Sequence, residues 1–245
     1  MKTIHLLPFA LLPLAAGCKS TSDTHAEPAS APKSAVTAGS AGPSRPGAAA
    51  ATAGPTAPAM APSSTILATP VGRAELGAPA PGFELKDIDG KSVKLSQFKG
   101  RKVVLEWFNP SCPYCVYVYG EKGPLRQLPD QLVRNGVVWL SIVSEKPENP
   151  GRKTETIRKF MEANGIETPM LLDPTGTVGR AYGAKTTPHV FVINDKGTLV
   201  YAGALDNAPM GKVADGGTLV NYVEAAVADL RAGRSVTTSG TKPYG

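Results

Sequence analysis

Cys112-Pro113-Tyr114-Cys115 places two thiols two residues apart. The pair follows an apolar run, Val103–Phe108, through the short link Asn109-Pro110-Ser111, and it opens a stretch with helical spacing. A sulfur at the start of a helix faces unpaired backbone N–H groups and the positive end of the helix dipole. That setting lowers a cysteine pKa from about 8.5 into the range of roughly 3.5–7.5. The first cysteine is then the exposed attacker. The second, a turn further in, resolves a mixed disulfide. Pro113 suits the first helical turn, where an N–H is not needed. Other readings stay open on the residues alone. A structural disulfide between near neighbours is one. Copper held by Cys112, Cys115 and His189 is another. Zinc needs four ligands, and only His189 is available nearby, so a zinc site is not expected. A redox dithiol is favoured because the order strand, loop, helix is met.

Two further elements fit that chemistry. Glu106 is the one acid in the run Val103–Phe108, six residues before Cys112. A carboxyl buried beneath the dithiol would have a raised pKa and could exchange a proton with Cys115. Thr186-Thr187-Pro188-His189-Val190 leads into a second apolar run. Proline cannot donate to a sheet ladder, so Pro188 is expected at the first position of that strand. A cis Thr187–Pro188 bond would expose the Thr187 backbone to an extended substrate chain. Trp107, Phe108 and Tyr114 are expected to line or support this surface. The polar loop 144–154 follows a strand end and could overhang it.

The elements that must position these groups follow from periodicity. Phe83–Leu85 and Ser92–Leu95 flank Asp87-Ile88-Asp89-Gly90, which predicts a hairpin. Val103–Phe108 and Val137–Val143 read as buried strands. The stretch 113–134 is interrupted by Gly123-Pro124 and Pro129, so its helix is split or kinked. Glu155–Asn164, Thr177–Tyr182 and Leu219–Ala232 read as helices, the last ended by Gly233. Met170–Leu172 is a short strand. Val190–Ile193 and Leu199–Ala202 form a second hairpin around Asn194-Asp195-Lys196-Gly197. Alternating strands and helices ending in a hairpin and a helix predict an α/β fold with a mixed central sheet flanked by helices.

With strand, dithiol and proline in place, residues from about Leu76 to Arg231 resemble the thioredoxin superfamily. The carriers are Cys112-Pro113-Tyr114-Cys115, Glu106 and Thr187-Pro188. The resemblance implies a thioredoxin-like fold with an N-terminal β-hairpin extension. It also implies attacking and resolving thiols at Cys112 and Cys115, a buried proton acceptor at Glu106, and a cis-proline loop. Gly77-Ala78-Pro79-Ala80-Pro81-Gly82-Phe83 and Leu95-Ser96-Gln97-Phe98-Lys99-Gly100 look like the redoxin and peroxiredoxin (AhpC/TSA) branch. Leu172-Asp173-Pro174-Thr175-Gly176-Thr177-Val178, Tyr182-Gly183 and Gly203-Ala204-Leu205-Asp206 point the same way. True peroxiredoxins carry Thr or Ser three residues before the reacting cysteine and Pro seven before it. Here those positions hold Asn109 and Leu105. The strand Val190–Ile193 also lacks their arginine, so the peroxide O–O bond would be poorly polarised. Thiol peroxidase activity is therefore the alternative and disulfide exchange the expectation. The Pro-Tyr pair between the cysteines is the one seen in glutaredoxins, and it does not fix a direction of electron flow.

The rest of the chain concerns place. Residues 1–17 read as an export signal, with Lys2 and an apolar stretch from Ile4 to Ala16. The ending Leu14-Ala15-Ala16-Gly17-Cys18 resembles a bacterial lipobox, which implies acylation of Cys18. Residues 18–75 are mostly Ala, Pro, Ser, Thr and Gly and read as a flexible tether. The folded domain is expected at 76–233, with a tail at 234–245. No apolar run reaches the roughly 18 residues of a membrane-spanning helix. The net charge is +6, but basic residues are scattered among acids, which argues against nucleic acid as a partner. The expected partners are protein or small-molecule thiols and disulfides, an unidentified electron donor or acceptor, and a membrane reached through the lipid anchor. The expected location is the periplasmic side of a bacterial membrane. No cofactor is expected.

Overall fold

The computed structural model describes residues 72–145, 148 and 153–245. The expected leader, Cys18 and most of the tether lie outside these residues, as does most of the loop 144–154. Seven strands form one sheet in the order β2-β1-β5-β4-β3-β6-β7. They are β1 (Glu84–Asp87), β2 (Ser92–Lys94), β3 (Val103–Trp107), β4 (Val138–Val143), β5 (Met170–Leu172), β6 (His189–Ile193) and β7 (Leu199–Gly203). Strands β3, β4 and β5 are parallel. The β6–β7 hairpin joins β3 antiparallel, and the β1–β2 hairpin joins β5 antiparallel. The helices are α1 (Pro113–Tyr119), α2 (Leu128–Arg134), α3 (Thr154–Asn164), α4 (Thr177–Tyr182) and α5 (Tyr222–Arg231). The mixed α/β architecture and the hairpin extension match the sequence reading.

The sheet is covered on both faces, which is why β3 and β4 are continuous buried runs without polar alternation. Successive side chains of β3 still point to opposite sides. Val104 and Phe108 join a core with Val118, Tyr119, Leu132, Ile157 and Val227, so α1, α2, α3 and α5 cover that face. Val103, Leu105 and Trp107 join the other core with Val178, Tyr182 and Phe191, under α4. Fully burying one such large apolar side chain contributes roughly 1.5–3 kcal/mol. Glu106 alternates with Trp107 and therefore faces the α1 side.

The helix after the dithiol is split, as Gly123-Pro124 predicts. At Gly123 a Cβ would lie 2.2 Å from the Val118 carbonyl oxygen, so the chain folds tightly against the end of α1. Leu125 N–H then donates to Val118 O at 2.8 Å.

Three boundaries differ from the sequence reading. Ala74 N–H already donates to Ala181 O, ahead of Leu76. Helix α5 starts at Tyr222 rather than Leu219, because Asn221 caps it by accepting from Glu224 N–H. Thr218 and Val220 instead bond to Asn207 and close the neck of a loop. Finally, residues 234–241 pack on the domain. Thr237 donates to Asp229, and Ser239–Thr241 run beside β7.

Candidate active site

The register of β3 with its neighbours builds the site. Glu106 lies opposite Ser141 on β4 and Val190 on β6. Trp107 lies opposite His189, so the chain entering β6 passes the C-terminal end of β3, where the dithiol loop begins. Asn109 shapes that loop: its Oδ1 accepts from Ser111 N–H at 2.7 Å and its Nδ2 donates to Glu145. Cys112 is the residue before α1, in extended conformation, and Pro113 takes the first helical position. The Thr187–Pro188 peptide bond is cis. Pro188 immediately precedes β6 rather than starting it.

These turns bring Cys112 and Thr187 together: Cys112 Sγ donates to Thr187 O at 2.9 Å. Cys112 is partly exposed, and Cys115 is fully buried. Their acidities are driven apart. The Cys112 thiol is lowered to about 5, chiefly because Cys115 donates a hydrogen bond to its sulfur. Burial opposes this. A hydrogen bond from the Thr187 side chain and the N–H groups of Cys115 and Tyr114 add to the lowering. The Cys115 thiol is pushed well up, first by burial, then by that same bond and by the Glu106 charge. The pair thus holds one ready thiolate and one guarded thiol.

Glu106 is fully buried. Its Oε2 accepts from Tyr119 Oη at 2.5 Å, Ser141 Oγ at 2.9 Å and Trp139 Nε1 at 3.2 Å. Its Oε1 has no partner among the described residues. Burial raises its pKa to about 7, against the pull of the three donors. Tyr119 sits one helical turn beyond Cys115, so a single helix carries both the resolving thiol and a donor to the carboxylate. No hydrogen bond joins Cys115 to Glu106 among the described residues; the two interact as charges.

The other expected residues are placed less uniformly. Tyr114 is half-buried beside the dithiol. Trp107 is only 3% exposed and belongs to the far core, packed on Tyr182 and Phe191. Its indole N–H donates to Ser144 Oγ, and it borders a shallow pocket with Thr186 and Thr187. Phe108 packs edge-on against Tyr119 as core. His189 is buried on Phe191, its Nδ1 accepts from Lys185 N–H, and burial lowers its pKa to about 4. No cluster of three His, Cys, Asp or Glu side chains suited to a metal occurs among the described residues.

Sequence reasoning missed Tyr119, Trp139 and Ser141 as the donors around Glu106. The spacing of Tyr119, four after Cys115, was the available signal. It also missed Asp206 and Tyr244. The Asp206 carboxylate is buried and accepts from Tyr244 Oη at 2.7 Å, and the Tyr244 ring lies 5.7 Å from that of Tyr114.

The AhpC/TSA family model matches residues 76–202, just over half of the chain. A protein named thiol-disulfide oxidoreductase ResA, from Halalkalibacterium halodurans, is 28% identical over 127 residues, 52% of this chain and 67% of that protein. A Mycobacterium tuberculosis protein named as a candidate peroxiredoxin is 31% identical over 140 residues, 51% of this chain and 82% of that protein. Among solved structures, a hypothetical protein from Sinorhizobium meliloti matches with TM-score 0.62 and 26% identity, over 73% of this chain and 96% of its own.

Proposed function

The chain belongs to the AhpC/TSA family, and from that footing we propose that it is an exported, lipid-anchored thiol–disulfide oxidoreductase. The observation that carries the reading is the division of labour at the dithiol: a partly exposed Cys112 lowered to about 5 above a buried Cys115 and a buried Glu106. The name of the ResA relative supports it.

In the reducing direction, Cys112 thiolate attacks one sulfur of a substrate disulfide. A mixed disulfide forms, and the other substrate sulfur leaves as thiolate. Cys115 gives its proton towards the Glu106 carboxylate and attacks Cys112 Sγ. The Cys112–Cys115 disulfide forms, and the second substrate thiolate leaves and is protonated. Two electrons have passed to the substrate, and a dithiol of the electron donor, itself oxidised to a disulfide, restores the pair. The oxidising direction runs these steps backwards. Thr187, with Pro188 holding its backbone at the sulfur, orients the incoming disulfide, and Tyr114 lines the approach. Cys18 carries the acyl anchor, and residues 18–71 serve as the tether.

Replacing Cys112 by Ser is expected to abolish reduction of a model disulfide; retained activity overturns the reading. A thiol peroxidase is the second reading, favoured by the lowered Cys112 and the M. tuberculosis relative. Asn109 and Leu105 stand against it. Stopped-flow consumption of hydrogen peroxide no faster than by a free thiol removes it. Copper delivery has less support, because His189 is buried on Phe191 with Nδ1 already accepting from Lys185.

A further inference from the structure

Segment 239–245 returns to the dithiol from the far edge of the sheet, and each of its contacts is specific. Ala202 N–H donates to Ser239 O at 3.0 Å, and Thr241 N–H donates to Ala202 O at 3.2 Å, so the segment is added alongside β7. Thr241 Oγ1 accepts from Ala204 N–H at 2.9 Å and shares a hydrogen bond with Tyr201 Oη. It occupies the space of a missing side chain: a Cβ on Gly203 would lie 2.2 Å from Thr241 Oγ1. Beyond it, Tyr244 Oη donates to the buried Asp206, and the Tyr244 ring rests near Tyr114, the residue between the two cysteines. Burial raises the Tyr244 phenol, and its hydrogen bond to Asp206 raises it further.

The end of the segment lies on the cis-proline loop. A Cβ on Gly245 would sit 2.2 Å from Thr187 O and 3.2 Å from Thr187 N. The same Thr187 carbonyl accepts from Cys112 Sγ. These backbone groups are the ones an extended polypeptide would need in order to pair beside the attacking sulfur. Below Gly245 a shallow pocket lined by Trp107, Ser144, Lys185 and Thr187 stays open.

We infer that residues 239–245 are a strap across the dithiol that restricts the site to small thiols and disulfides, with Tyr244 and Gly245 as its specificity-determining residues. The inference rests on the exchange reaction proposed above. A small disulfide enters beside the strap. A polypeptide disulfide needs the strap to leave Thr187, which costs the Tyr244–Asp206 hydrogen bond.

Two variants loosen the strap at separate points. Tyr244→Phe keeps the ring against Tyr114 and removes the bond to Asp206. Gly245→Ala drives a methyl into Thr187 O. Two ratios are read in the full chain. One is kcat/KM for insulin reduction over kcat/KM for oxidised glutathione. The other is the rate of Cys112 alkylation by a polyethylene-glycol maleimide over that by N-ethylmaleimide. Both ratios are expected to be low in the wild type. Each should rise by roughly tenfold in Tyr244→Phe, the weight of one hydrogen bond to a charged group, and should also rise in Gly245→Ala. A wild type that reacts equally with both maleimides overturns the strap, as do unchanged ratios in natively folded Tyr244→Phe. If the alkylation ratio moves but neither disulfide is reduced, the redox reading fails and the strap stands.

Discussion

Glu106 and Cys112 titrate away from their ordinary values in opposite directions, and the signs can be tested separately. Glu106 holds its proton more tightly folded, at about 7, than its ordinary 4.5. Its contribution to stability is therefore fully present below pH 4.5 and is lost as pH rises through 7. Glu106→Gln lacks this titration. In urea unfolding, the variant's stability should gain on the wild type by roughly 3 kcal/mol between pH 4 and pH 8. An edge-exposed, solvated carboxylate would give no such difference. The same replacement removes the proton acceptor proposed for Cys115. Resolution of a Cys112 mixed disulfide should slow by at least ~100-fold at pH 8, and the inflection near pH 7 should vanish. Loss of rate without loss of the inflection would assign Glu106 a packing role. Cys112 runs the other way. Its folded pKa of about 5 lies below its ordinary 9, so its contribution is present above pH 9 and is lost as pH falls through 5. The rate of Cys112 alkylation by iodoacetamide should accordingly inflect near pH 5, and Cys115→Ala should move that inflection upward, since the Cys115 hydrogen bond is the largest cause of the lowering. An inflection near 9 would mean an ordinary thiol.

At the scale of elements, the dithiol owes its position to two short helices rather than one long one. Helix α1 has seven residues and ends at Gly120. Its burial of Val118 and Tyr119 on Phe108 and the neighbouring core fixes the tilt that sets Cys112 at Thr187. Gly123 permits the break, because its Cα faces the carbonyls of Tyr117 and Val118 with no room for a methyl. The obstacle is backbone and cannot rotate aside. Gly123→Ala is expected to lower stability by ~2–4 kcal/mol in denaturant unfolding, and to displace Cys112 from the Thr187 carbonyl. A neutral variant would mean that the break is slack. Much of this level was legible in the sequence. Buried strands announce themselves as apolar runs, Asn194–Gly197 marks a hairpin turn, and Gly123-Pro124 marks the break between α1 and α2. The site was legible where its chemistry is compressed into neighbours, as in Cys112–Cys115, or into an anomaly, as with an acid inside Val103–Phe108. Trp107 and Glu106 are neighbours that face apart, because adjacent residues of a strand point to opposite faces, so Trp107 borders the Thr187 pocket from the other core.

At the scale of the molecule, the contacts that escape sequence reading join distant segments. Tyr244 reaches Asp206 across 38 positions, and Trp139 reaches Glu106 across 33. Neither partner carries a local pattern, since a tyrosine in a polar tail and a tryptophan in an apolar strand each have an ordinary explanation. The opposite holds for the first 71 residues, which lie outside the described structure and whose meaning is wholly compositional. If Cys18 is acylated, two or three acyl chains contribute ~0.8 kcal/mol per buried methylene, ample to hold a domain of this size at a bilayer. The tether then confines the dithiol to a shell near the membrane, about 40 Å deep for a random coil of that length. It thereby raises the encounter rate with membrane-bound partners over free ones. Cys18→Ser removes the anchor without touching any residue of the described domain. After export, the variant should move from the membrane pellet to the soluble extracytoplasmic fraction. Its purified form should reduce soluble oxidised glutathione as the wild type does. Reduction of a membrane-embedded disulfide partner in vesicles should fall by tenfold or more, in line with the loss of effective concentration. Retention of the variant in the pellet would transfer the anchoring to the apolar stretch Ile4–Ala16 and make Cys18 incidental.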